Sequence, residues 1–97
     1  MIEWIESKTG HMVPKVEEIF LASTFDPIIE AQRWVEKNFS ADETFRTLII
    51  LGFGGGYHIQ LLSEKFPNSK IIIVEKNLTL VSGAQQRGFK LSFNTHI

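Results

Sequence analysis

From Thr47 to Glu75 the sequence reads TLIILGFGGGYHIQLLSEKFPNSKIIIVE, in which two aliphatic runs of strand length flank a glycine cluster and a stretch of helical period. Runs without polar alternation are normally buried on both faces, as in parallel sheets covered by helices. Between them Ile59, Leu62 and Phe66 recur at helical spacing, and Pro67 with Asn68 ends that helix. The segment is therefore a β-α-β unit with parallel strands, and it sets the fold class as α/β.

Four of the chain's seven glycines, Gly52, Gly54, Gly55 and Gly56, fall at the turn from the first of these strands into its helix. There the backbone must reverse sharply, and residues without Cβ let a ligand approach the main chain closely. Free N–H groups and the positive end of the helix dipole face the same spot, which suits an anionic or electron-rich ligand. The competing reading is a tight turn and close strand-to-helix packing with no ligand. Four glycines exceed what a turn requires.

The rest of the chain supports this core. Residues 1–23 are short apolar runs broken by turn chemistry, two or three strands with Thr9 and Gly10 in a hairpin turn. Residues 24–97 form the partial Rossmann-like portion. Its first helix carries Ile28, Ala31 and Val35 on one face, with Asp26 placed to cap it and Pro27 at its first position. Downstream, LTLVSGAQQR reads as a second crossover helix weakened by Thr79 and Gly83 and ended at Gly88, and FKLSF alternates like a half-exposed strand.

Ten basic and eleven acidic side chains leave a formal charge of -1 with no basic run, which argues against nucleic-acid or electrostatic membrane-surface binding. Cysteine is absent, excluding disulfides and thiolate metal sites. His11 and His96 have no partners at ligand spacing, so no metal site is expected. The acids in MIEWIESKTG do not suit a secretory n-region, and no window approaches the roughly 18 apolar residues of a membrane span. A cytoplasmic location is the expectation.

For the ligand, a dinucleotide fingerprint would need a small residue where Tyr57 stands, so NAD is disfavoured. Gly52, Gly54 and Gly56 match the G-x-G-x-G spacing that resembles S-adenosylmethionine-dependent methyltransferases, although Ile50 stands where those usually carry an acid. Glu75 follows Gly56 by 19 residues, at the end of the next strand, where a carboxylate can accept ribose hydroxyls. The alternative for Glu75 is a solvated side chain. His58 could donate to a phosphate or be merely solvated, and Tyr57 could stack on a base or pack over the loop.

TFDPIIEAQRWVEKN and LIILGFGGGYHIQLLSEKFPNSKIIIVEKN together resemble the motility-associated factor (Maf) glycosyltransferases and their 6-hydroxymethylpterin pyrophosphokinase-like (MptE-like) relatives. The resemblance rests on Asp26, Pro27, Glu30 and Ala31 at a helix start, then on Gly52, Gly54, Gly56, Tyr57 and His58 in the loop, and on Val74 with Glu75 after it. It covers residues 1 to 80. It implies a Rossmann-like domain, a CMP-type nucleotide or nucleotide sugar as ligand, and transfer of nonulosonic (sialic-like) sugars onto flagellin. Members of that family are several times longer, so the match is to N-terminal strands and the first half of the nucleotide-binding domain, a portion expected to be inactive alone. No catalytic residue is assigned. Exposed sheet edges and apolar faces then predict a homo-oligomer. Two other readings stay open: a small S-adenosylmethionine-binding, methyltransferase-like module, and a non-catalytic assembly domain.

Overall fold

The computed structural model describes residues 1–40 and 42–97. Three antiparallel strands come first: β1 (Ile2–Glu6), β2 (Met12–Val16) and the two-residue β3 (Ile19–Phe20). β1 and β2 pair from Ile2 with Val16 to Glu6 with Met12, around the turn that holds Thr9 and Gly10. Helix α1 (Pro27–Asn38) follows, and the Asp26 carboxylate accepts the N–H groups of Ile28 and Ile29, both at 3.1 Å. These two donors would otherwise lack partners in the first turn.

The second sheet is parallel, in the order β4 (Thr47–Leu51), β5 (Lys70–Val74), β6 (Thr95–His96), with α2 (Tyr57–Lys65) and α3 (Leu78–Gln86) as crossovers. Leu48, Ile50, Ile71 and Ile73 point to one face and are buried with Ile59, Leu62, Leu80 and Ala84. Phe39, Phe45 and Phe66 close one end of this core edge to face, with centroids 5.4–5.8 Å apart.

Two expectations need correction. The aliphatic strands are covered on one face only: Ile49, Leu51 and Val74 are 64%, 82% and 54% exposed. An uninterrupted apolar run is blind to whether a second layer is present. FKLSF, which alternates like a half-exposed strand, also forms none, and the last strand lies at Thr95–His96. Phe89 turns inward onto Phe53, and buried Asn94 donates to the carbonyls of Phe66 and Ser69 while its own carbonyl receives the Ile71 N–H, so the chain enters the sheet only after it.

The N-terminal hairpin is tied to this sheet through α3. Trp4 lies against Gly83, where a Cβ would stand 2.7 Å from its ring. Any side chain at 83 would push the ring away, so the glycine that weakens α3 is what lets the hairpin dock. The Arg87 guanidinium covers the same ring at 4.5 Å and donates to the Gly83 carbonyl.

Candidate functional site

The glycine bend sits at the C-terminal end of β4 and leads into α2. Gly52, Gly54 and Gly56 have φ of 90°, 58° and 86°, and Gly56 is the N-cap of α2. At Gly56 the requirement is double. The backbone is left-handed, and a Cβ would stand 2.8 Å from the Phe53 ring, which is fully buried beneath the bend and meets Phe89 edge to face. The bend thus wraps its own aromatic plug on the core side. Its outer side differs, because a Cβ at Gly52 would meet nothing within 4 Å.

The main-chain donors follow from this geometry. Gly52 N–H donates to Val74 O at 2.9 Å, and Gly56 N–H to Phe53 O at 3.0 Å. Phe53 N–H donates to Glu75 Oε1 at 2.8 Å. The first N–H of α2 with a backbone acceptor is that of Gln60, bonded to Gly56 O. The N–H groups of Gly54, Gly55, Tyr57, His58 and Ile59 have no acceptor among the described residues, and Gly56 offers no side-chain cap. This cluster of donors at a helix N-terminus can hold an anion or a ligand oxygen.

Glu75 stands beside the bend, as the sequence placed it, yet it also braces it. Oε1 receives Phe53 N–H and Oε2 receives Asn77 N–H at 3.0 Å, so one carboxylate joins the glycine bend to the turn after β5. Each oxygen keeps a further lone pair for a ligand hydroxyl.

Tyr57 and His58 line one cavity but take different partners. The Tyr57 ring packs against Gly55, and its hydroxyl donates to the Met12 carbonyl of β2, so the ring covers the loop. Burial raises the Tyr57 pKa above its ordinary value. The ring forms a wall between two cavities. One, of about 290 Å³, lies toward Trp4, His11, Gln60 and Arg87. The other, of about 360 Å³, is lined by Glu30, Trp34, Leu51, Gly55, Tyr57 and His58.

His58 meets Trp34 edge to face at 5.1 Å. Burial lowers its pKa, while the Gly52 backbone and the Glu30 carboxylate pull it part of the way back. Of the residues singled out in the sequence, Gly55, Tyr57 and His58 line this cavity, whereas Glu75 does not and bonds the Phe53 N–H of the bend instead.

Glu30 and Trp34 are additions to the site, since in the sequence Glu30 stands only as a helix-start residue. Their spacing of four on α1 puts them on one face, which was the available signal. Glu30 also accepts the Ser23 N–H at 2.8 Å, holding the segment before α1. Among the described residues, no three His, Asp or Glu side chains gather as metal ligands, and no helix is long and apolar enough to cross a membrane.

The family model described as the glycosyltransferase Maf N-terminal domain matches residues 5–83. No curated protein is significantly similar in sequence. Among solved structures, MNMC2 from Aquifex aeolicus is similar at 14% identity with a TM-score of 0.47, over 99% of this chain and 40% of that one. This chain therefore spans less than half the length of that protein.

Proposed function

Given that the chain belongs to the Maf glycosyltransferase family through its N-terminal domain, we propose that it is the nucleotide-binding portion of a transferase of nonulosonic (sialic-like) sugars, without turnover of its own. The observation that carries this reading is the set of N–H groups of Gly54, Gly55, Tyr57, His58 and Ile59, without acceptors among the described residues, in the bend that Glu75 braces. Those donors suit the phosphate of a CMP-type nucleotide, and Glu75 suits its ribose. The cavity lined by Trp34 and His58 adjoins the same donors and is large enough for part of such a ligand.

Calorimetric titration of the chain with CMP, S-adenosylmethionine and NAD in separate experiments tests the reading. Saturable heat from CMP is expected. Saturable heat from S-adenosylmethionine alone would replace the proposal by a methyltransferase-like module, and no heat from any of the three would leave an assembly domain.

A further inference from the structure

The cavity of about 290 Å³ across the Tyr57 ring from His58 plays no part in nucleotide binding as proposed above. It lies where the N-terminal hairpin folds over the helices, walled by Trp4, His11, Tyr57, Gln60, Arg87 and Phe89. This is the helix-covered side of the parallel sheet, opposite the bare row of Ile49, Leu51 and Val74.

Specific contacts hold its walls apart. The Tyr57 hydroxyl donates to the Met12 carbonyl, and Trp4 is seated on Gly83. His11 meets the Tyr57 ring edge to face with centroids 6.1 Å apart, and its Nδ1 is hydrogen-bonded to the Thr9 hydroxyl at 3.1 Å. Each ring would have to give up a partner to swing in and fill the space.

The charge of the lining is one-sided. Arg87 is its fixed cation and no carboxylate joins it there. Among the described residues no acid stands at ion-pair distance from Arg87. Its guanidinium lies over the Trp4 ring at 4.5 Å, and Nη1 donates to the Gly83 carbonyl at 3.0 Å. That bond uses one of several N–H donors, and the others have no acceptor among the described residues. A guanidinium oriented by stacking and by one anchor keeps a planar fork that matches a carboxylate.

We infer that this cavity binds a small monocarboxylate with a flat apolar body, its carboxylate on Arg87 and its body among Trp4, Tyr57 and Phe89. One fixed cation balances one negative charge, whereas a phosphate dianion would leave a charge uncompensated. The aromatic walls suit a planar body, and the Gln60 amide can donate to or accept from a substituent. A volume at the small end for ligand pockets limits the occupant to about one ring with a short substituent. The site is separate from the glycine bend and stands whether or not a nucleotide binds there.

Amide and indole N–H spectra of the full chain, recorded by NMR at constant ionic strength, test the assignment with benzoate and with benzamide, its uncharged counterpart. Benzoate should move the Trp4 indole and the Gln60 and Arg87 amides saturably, with a Kd of about 1–10 mM, ordinary for so small a ligand. Benzamide should bind at least tenfold more weakly. Arg87→Gln retains a donor for the Gly83 carbonyl and should bring the two probes within about twofold of each other, a loss of charge preference that loosened packing alone would not produce. No saturable shift with benzoate, equal affinity for benzamide, tighter binding of phenyl phosphate, or a charge preference that survives in folded Arg87→Gln would each overturn the inference. Should the variant fail to fold, the wild-type shifts decide. Shifts centred on Trp4 and Arg87 sustain the site, and shifts confined to Gly54 and Gly55 with the Trp4 indole unmoved refute it.

Discussion

Replacing Glu75 separates a brace from a solvated carboxylate. Its two oxygens receive the N–H groups of Phe53 and Asn77 at 2.8 and 3.0 Å. Hydrogen bonds to a charged acceptor contribute about 1.5–3 kcal/mol each, and partial exposure puts these at the lower end. Glu75→Gln keeps one acceptor oxygen and turns an amide N–H₂ toward the other donor. It should therefore cost about 1.5–2 kcal/mol. Glu75→Ala loses both bonds and should cost about 3 kcal/mol. For a domain of this size the glutamine variant alone should lower Tm by about 6–15 °C. Urea unfolding followed by the fluorescence of Trp4 and Trp34 gives the stabilities, with exposed Glu64→Gln as the control for removing a charge. Had Glu75 been solvated, both variants would fall within about 0.5 kcal/mol of wild type, as surface substitutions do. That result, or equal losses for glutamine and alanine, would refute the two-bond brace.

Two further outcomes follow from the bend and its neighbour. Gly56→Ala meets left-handed backbone and the Phe53 ring together, so it should destabilise by about 2–5 kcal/mol, against about 1–2 for Gly52→Ala, where only the backbone is strained. Equal losses in urea titrations would contradict the packed underside of the bend. His58 has its pKa lowered on folding, so the unfolded chain takes up its proton first as pH falls. Its contribution is whole above the ordinary value of 6.5 and is lost as pH drops from there through the folded value. The urea midpoint should fall less between about pH 7.5 and pH 5 in His58→Gln than in wild type, and identical slopes would remove His58 from the account.

The β-α-β unit, the cap of α1 and the glycine turn were legible in the sequence because each is a local matter. Periodicity, Asp26 before Pro27, and glycines where the chain reverses are read within a few residues of one another. The nearness of Glu75 to the bend was legible too, since consecutive parallel strands place their ends side by side.

What only the tertiary structure decided involves partners far apart in the chain. TLIIL and KIIIV look alike whether one face is covered or two, and the bare row of Ile49, Leu51 and Val74 emerges only when the helices are seen on the other side. The displacement of β6 to Thr95–His96 depends on where Phe89 and Asn94 find their partners. The joining of Glu30 and Trp34 to His58 depends on where α1 comes to rest. Gly83, a flaw in a helix read alone, is a seat for Trp4 once the hairpin folds over it. Short-range patterning selects backbone conformation, whereas which surfaces meet is set by packing summed over the whole chain, and no window of sequence contains that sum.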